Sequence, residues 1–344
     1  MDLAYSPFLS FSARIADGLN LFKLIVDHES PISSQKLASI SKGEELLIGR
    51  ILRALASIGS VDEVGPQKWQ PTAITRAMAK EEIAAGHRTC GNTIVEAGQK
   101  ASKYFSEAGY RCPTDPRDSL MQYAFQTKLT TFEYMSSIPR VLKDFNTFMG
   151  NTMGARKYWT DWYPVKERLL DGSNETSPFL VDVGGGKGHD VLEFQAKYPQ
   201  KGRRLVLQDL SPVTSDLADL GPGIERMTYD FFTEQPVQGA RAYFYHHILH
   251  DWPDSYCLKI LEQVRKSMTL GYSKLIIHEL VLPEQNADKT SAVFDLAMMA
   301  FNAGMERTGT QWRELLGQAG FQNVRVWTAP EVGADGVIEA MIEE

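Results

Sequence analysis

The stretch Phe179-Leu180-Val181-Asp182-Val183-Gly184-Gly185-Gly186-Lys187-Gly188-His189-Asp190 decides how the chain is read. Its first five residues make a short run suited to a buried strand, and glycines follow at once. Val191, Leu192 and Phe194 then begin a helical pattern. A strand, a glycine turn and a helix form a nucleotide-binding crevice at the carboxyl end of a parallel sheet. The glycines allow positive φ and close approach of backbone to a ligand. Downstream, short β-rich runs alternate with helical stretches, the pattern of a parallel α/β sheet. Upstream, residues 171–178 read as a polar connector, and the sequence before them looks helical. The expected division is a helical domain over 1–150 and a Rossmann-like α/β domain over 151–344.

The glycine spacing narrows the ligand. A dinucleotide loop needs a third glycine where His189 stands, and no Gly-Lys-Ser/Thr follows for a triphosphate. An NAD(P) oxidoreductase is therefore disfavoured. Gly184-x-Gly186-x-Gly188, with Asp182 two positions ahead, suits S-adenosylmethionine, whose amino group wants an acidic or carbonyl partner. The next strand, Arg204 to Gln208, ends at Asp209, where a carboxylate can accept both ribose hydroxyls. Leu210 follows it. Asp230 and Phe231, at a third strand end, suit the adenine amine and the adenine face. The competing reading is a glycine turn without a ligand.

Ala242 to Leu249 is another strand-like run, ending at His250 on the same rim. Lys274 to His278 is a strand ending at Glu279, and Glu306 follows a helical run over 297–302. A base with one or two carboxylates to orient its imidazole is a familiar arrangement. The alternatives are Glu279 as a strand-end cap and Glu306 paired with Arg307. His246, His247 and His278 read as packing or pocket-wall residues, and no metal site is expected, because no carboxylate–histidine set at ligand spacing accompanies them.

In the first half, residues 13–27 suit one amphipathic helix carrying Ile15, Leu19, Phe22 and Ile25. Residues 31–71 look like a winged-helix unit: Ser33 or Ser34 caps a short helix, a longer one places Leu47, Ile51, Leu55 and Ile58 on one face, and a hairpin turns at Gly65-Pro66. That longer helix carries Glu44 and Glu45 beside Arg50 and Arg53, so it lacks the basic face that DNA binding needs. Residues 119–163 are rich in aromatics and Met; most are helix core, while Phe132, Met135, Met149 and Trp159 are candidates for a flat, apolar substrate, with His247, Met299 and Asn302.

The 344 residues are 43% hydrophobic and 23% charged, which excludes disordered and fibrous classes. With 36 Lys+Arg against 43 Asp+Glu the net charge is −7, so neither nucleic acid nor an anionic membrane is an expected partner. Three distant cysteines, Cys90, Cys112 and Cys257, fit a reducing cytosol. No signal peptide and no 18-residue apolar run is present, so a cytoplasmic protein is expected.

At Val181–Gly186, Leu207-Gln208-Asp209-Leu210, Tyr229-Asp230-Phe231-Phe232, Leu249-His250-Asp251-Trp252-Pro253-Asp254, Gly271–Lys274 with Glu279, and Glu306-Arg307-Thr308 with Gln311-Trp312, the chain resembles fungal members of the plant-type, metal-independent small-molecule O-methyltransferases. The resemblance runs from about residue 13 to the end. It implies a helical, winged-helix dimerisation domain followed by a Rossmann-like class I methyltransferase domain, working as a homodimer. It implies S-adenosylmethionine held by Gly184, Asp209, Asp230 and Phe231, and His250 as general base supported by Glu279 and Glu306. Relatives usually carry a longer N-terminal segment with a helix that helps form the dimer, so either the chain is shortened here or its dimer contacts differ. Many have His in place of Tyr229, and an acid or polar residue in place of Gly309. The substrate would be the hydroxyl of a small aromatic or polyketide-type metabolite. The same family includes pericyclases and dehydratases that keep the fold, sometimes with the cofactor, without transferring a methyl group.

Overall fold

The computed structural model describes residues 2–343 apart from 151–156, 200–202, 216, 218, 219 and 332. By contacts the chain divides into two compact units, Met1–Glu96 with Met135–Thr152, and Ala97–Tyr134 with Met153–Glu344. The boundary expected at 150/151 borders a segment outside the described residues.

In the first unit the expected single helix over 13–27 is two, Asp2–Gly18 and Leu21–Val26. Asn20 separates them with φ of 55°, a left-handed conformation that a helix interior cannot hold. Strand β1 (Ile32–Ser33) leads into helix Ser34–Ser41, where the Ser33 hydroxyl caps by accepting from the Lys36 amide at 3.1 Å. Helix Glu45–Ala56 buries Ile48, Ile51, Leu52 and Leu55, while Leu47 and Ile58 are exposed. The apolar face is thus turned by one position from the expected one, and Ile58 lies beyond the helix end. Strands β2 (Asp62–Gly65) and β3 (Lys68–Gln70) form the hairpin, and β3 also pairs with β1, in a three-stranded antiparallel sheet. Helix Pro139–Met149 belongs to this unit, where Arg88 joins Asp144, Asp17 and Glu81.

The second unit carries a seven-stranded sheet. Its strands are β4 (Leu180–Val183), β5 (Leu205–Asp209), β6 (Ile224–Thr228), β7 (Ala242–His246) and β8 (Lys274–Glu279), all parallel, with β11 (Gln322–Trp327) and β12 (Gly336–Met341) antiparallel at one edge. The order β11-β12-β8-β7-β4-β5-β6 reverses direction at β4, which pairs with both β5 and β7. A ligand crevice opens outside the carboxyl ends at such a switch point. Both sheet faces are covered, which is why these strands read as apolar runs. Val181, Val183, Tyr243, Tyr245, Leu275, Ile277 and Ile338 pack on one face. Leu180, Ala242, Phe244, Ile276 and Val337 pack on the other with Trp159, Phe179 and Phe194. Two short strands, β9 (Val281–Leu282) and β10 (Arg307–Thr308), pair in parallel just beyond β8. The expected α/β class is what the structure has.

Candidate active site and cofactor cradle

The glycine loop follows β4 directly. Gly184, Gly186 and Gly188 have φ of 72°, 56° and 81°. A Cβ at Gly184 would lie 2.5 Å from Ile248 Cδ1, and one at Gly185 would lie 2.5 Å from the Asp182 carboxylate. A Cβ at Gly186 would meet nothing within 4 Å, so the backbone there is open. Asp209 ends β5 and accepts from the Gly186 amide at 2.8 Å and from the Leu210 amide at 2.7 Å. Burial pushes its carboxyl above the usual range. Asp230 is exposed beyond β6, accepts from the Phe232 amide at 3.0 Å, and carries Phe231 toward Trp252, 6.1 Å between ring centroids. Leu210 is exposed beside Asp209.

Asp182 is placed differently from the other cradle residues. It is 1% exposed, beneath Gly185, on the sheet face that carries Phe244. Neither of its oxygens has a hydrogen-bonding partner. Burial, next to Asp190 and Asp209, holds its carboxyl well above the usual range.

Strand β7 stops at His246, four residues before His250, rather than running to it. His247 has φ of 52°, which turns the chain, and Leu249–Asp251 is a turn of 3-10 helix. Glu279, the last residue of β8, binds this turn: one oxygen accepts the amides of Ile248, Leu249 and His250 at 3.2, 2.6 and 3.3 Å. Glu279 therefore fixes the backbone that carries His250. Glu306 reaches the ring itself. Its Oε1 lies 2.6 Å from His250 Nδ1. The β9–β10 pair brings it there, since β10 begins at the next residue and β9 begins two residues after Glu279. Burial lowers the pKa of His250 and pushes Glu306 up to about 8, so both shifts favour uncharged partners over an ion pair. Asp251 Oδ1 stands 3.6 Å from His250 Nε2, and its carboxyl is raised to about 7, again by burial.

Gly304 supports the site and carries no sequence signal of its own. A Cβ at Gly304 would lie 2.1 Å from the His250 carbonyl oxygen, so only glycine lets the chain pass. Arg307 is wholly buried and does not pair with Glu306; it donates to the carbonyls of Leu249 and Trp252 at 3.1 and 3.0 Å and to Asp254 at 2.7 Å. Asn302 is also fully buried, accepting from the Thr131 amide at 3.2 Å and donating to the Asp251 carbonyl at 3.1 Å. Phe132 stacks on Trp252 at 6.0 Å and meets Phe301 edge-on. Met299 is half-buried one turn earlier on the helix that ends at Asn302. Met135 and Met149 belong to the first unit, Met135 wholly buried. Trp159 is a core residue rather than a pocket wall. It has no exposed surface and is sandwiched between Phe244 and Phe194, at 4.9 and 6.0 Å.

The other histidines form a row behind His250. His247 stacks on His250 at 5.0 Å between centroids with rings 20° apart, and pairs with Asp335 at 3.2 Å. Burial opposes its charge, but Asp335 outweighs burial and raises it to about 9. His246 binds Asp190 at 2.7 Å and packs against His278 at 4.3 Å. Burial drives His278 down to about 3. Three groups among the described residues bring potential metal-ligand atoms within 4.8 Å of one another: Asp190–His246–His278, His246–His247–Asp335 and His250–Glu279–Glu306. The carboxylates missing around these histidines in sequence are thus supplied by Asp190 and Asp335 in space.

A glycine loop at the switch point, an acid ending the second strand and a histidine–carboxylate pair on the same rim define a class I methyltransferase architecture. The comparisons give the family. A sequence model of the O-methyltransferase domain matches residues 120–322. The O-methyltransferase penC of Penicillium thymicola is 50% identical, over 99% of this chain and 85% of its own length. A solved structure of LepI in complex with SAM superposes with a TM-score of 0.92 and 29% identity, over 100% of this chain and 88% of that one. Another, described as a pericyclic reaction enzyme, gives 0.90 and 30% over the same shares. The chain belongs to the S-adenosylmethionine-dependent O-methyltransferase family. The residues present fit that cofactor: the open backbone at Gly186 and the Asp209 carboxylate beside it form a cradle that side chains at 184–186 would disturb.

Proposed function

We propose that the chain methylates a hydroxyl of a small aromatic or polyketide-type metabolite, with His250 as the base. The observation that carries this reading is the 2.6 Å contact of His250 Nδ1 with a buried Glu306, on the rim that holds the glycine loop. Gly184, Gly186, Asp209, Leu210, Asp230 and Phe231 would hold the cofactor, which supplies an electrophilic methyl group. His250 would take the hydroxyl proton at Nε2. A phenol of pKa ~10 facing a histidine of ~6.5 is mismatched by roughly 3.5 units, about 5 kcal/mol. Burial of His250 widens that gap. Proton removal therefore accompanies carbon–oxygen bond formation rather than preceding it. Glu306 holds Nδ1 and fixes the orientation of the ring. Glu279 and Arg307 keep the turn in place, and His250 is positioned before the substrate arrives.

The test is product analysis after incubation with a candidate phenol and S-adenosylmethionine. Methylation gives a product heavier by one methylene unit and one S-adenosylhomocysteine per turnover. An isomeric or dehydrated product with the cofactor unconsumed would replace this reading with the pericyclic one that the LepI-type neighbours suggest.

The first unit, in which helices Ser34–Ser41 and Glu45–Ala56 accompany a short antiparallel sheet, fits a winged-helix packing and dimerisation role. Leu3, Tyr5, Phe8 and Phe11 are exposed on helix Asp2–Gly18, and a second copy of the chain would cover such a surface. Light scattering should give twice the chain mass, and a monomer would overturn the assignment. Among the described residues no helix is long and apolar enough to cross a membrane.

A further inference from the structure

We propose that Asp190, His246 and His278 form a binding site for one divalent transition-metal ion of the zinc type, independent of methyl transfer. The register of the sheet creates it. His246 ends β7, His278 lies one residue before the end of β8, and the two are paired directly across the parallel ladder. Paired residues project to the same face, so the imidazoles stand side by side, 4.3 Å between centroids. The helix His189–Lys197, which begins where the glycine loop ends, lowers Asp190 onto the same spot from above.

Asp190 and His278 are buried and His246 is partly buried, and each has a buried atom without a hydrogen-bonding partner: Asp190 Oδ1, His246 Nε2 and His278 Nδ1. Buried polar atoms without partners are rare in folded proteins, and one explanation is a bound ion. Here they cluster. Each residue can bring a ligand atom within 4.8 Å of the other two. A tetrahedral shell with bonds of about 2.0–2.1 Å places ligand atoms roughly 3.4 Å apart, so an ion would take the place of the proton between Asp190 Oδ2 and His246 Nδ1, which stand 2.7 Å apart. Two imidazoles and a carboxylate suit zinc, cobalt or nickel better than calcium or magnesium, which prefer all-oxygen shells.

The two neighbouring groups are committed to the turn that carries His250. Asp335 is engaged with His247, whose ring is stacked on His250. Glu279 spends one oxygen on three backbone amides, and Glu306 is bound to His250. An ion at Asp190, His246 and His278 would tie the helix that follows the cofactor loop to the ends of β7 and β8.

The experiment is a Co2+ titration of chelator-treated protein, read by visible absorption and by bound cobalt per chain. One equivalent is expected, with the d–d bands of a four- or five-coordinate ion and a raised melting temperature. Asp190→Asn and His278→Asn should each abolish the bands, while Glu306→Gln and Asp335→Asn retain them. X-ray absorption on the wild-type complex counts the imidazoles without relying on variants that fold, and two are expected. No uptake would overturn the proposal. So would bands that survive both Asp190→Asn and His278→Asn, bands lost in Glu306→Gln or Asp335→Asn alone, or an imidazole count other than two.

Discussion

The two ends of one sheet face carry opposite kinds of polar cluster. At the amino end, Glu339 of β12 accepts from Lys274 Nζ at 2.7 Å, from Tyr163 Oη and Arg168 Nε at 2.9 Å each, and from the second arm of the Arg168 guanidinium. No buried polar atom of these four side chains lacks a partner. At the carboxyl end, Asp182, Asp190, His246 and His278 share the same face, and each leaves at least one buried atom unused. The closed cluster is a stability element. The open one lies where parallel sheets place their ligands. A saturated charged network holds the fold together, whereas one with spare buried atoms leaves room for a bound ion.

If that division is right, changes at the two ends must separate activity from stability. The largest effect belongs to the carboxyl end. His250→Ala should cut methyl transfer by about 10²–10⁴-fold, the usual worth of a positioned general base. Affinity for S-adenosylhomocysteine, followed by calorimetry, should hold. Equal residual turnover on an acidic phenol and a weakly acidic one would break the proton-removal role. At the amino end, Glu339→Gln strips a buried Lys274 and a largely buried Arg168 of their counter-charge. Loss of one partner of a buried pair costs about 3–5 kcal/mol, so urea unfolding should shift strongly. Cofactor affinity of the folded fraction should not change, and a parallel loss of affinity would erase the contrast.

The same network has a pH signature. Burial works to raise the Glu339 carboxyl, but the hydrogen bonds from Arg168, Lys274 and Tyr163 outweigh it and bring it down to about 2. A depressed carboxylate contributes stability that is complete above its unfolded pKa and is lost as pH falls through the folded value. The shift from an ordinary glutamate corresponds to about 3 kcal/mol, withdrawn between roughly pH 4.5 and pH 2. Wild-type urea midpoints should fall across that window more steeply than those of Glu339→Gln. Parallel curves would show that Glu339 is not the group responsible.

The contrast also marks how far a sequence can be read. β4, β5, β7 and β8 are legible because strands buried on both faces are apolar throughout, and the glycine loop is legible because no other residue type takes those dihedrals so readily. His250, Glu279 and Glu306 could be singled out as strand-end and post-helix polar residues, yet their division of labour could not. Which atom of Glu279 meets a backbone amide depends on a turn that begins at His247, whose positive φ has no sequence signal. The pairs Asp190–His246 and His246–His278 were beyond reach for a similar reason. They lie 56 and 32 positions apart and meet only because parallel register and helix placement bring them together. Trp159 was misread as a pocket wall because an aromatic looks the same in a core and in a cleft. Only the stack on Phe244 and Phe194 separates the two.

The smallest predicted effect sharpens the comparison at the loop. Gly184 and Gly186 both have positive φ, so alanine at either is strained by about 1–2 kcal/mol. Their surroundings differ. An alanine methyl at 184 would meet Ile248 at 2.5 Å, on the turn that leads to His250, whereas one at 186 meets nothing within 4 Å. Gly186→Ala should therefore keep the fold and act only by loosening the amide that donates to Asp209 at 2.8 Å. A loss of about 1.4 kcal/mol there is roughly tenfold in cofactor affinity, readable by calorimetry with S-adenosylhomocysteine. Gly184→Ala should weaken the cofactor more and also lower turnover at saturating cofactor, because its methyl pushes on the turn beneath His250. If the two variants proved equal in both readouts, backbone strain alone would account for them. The carboxyl end would then owe nothing to the close approach of the glycine loop and the catalytic turn.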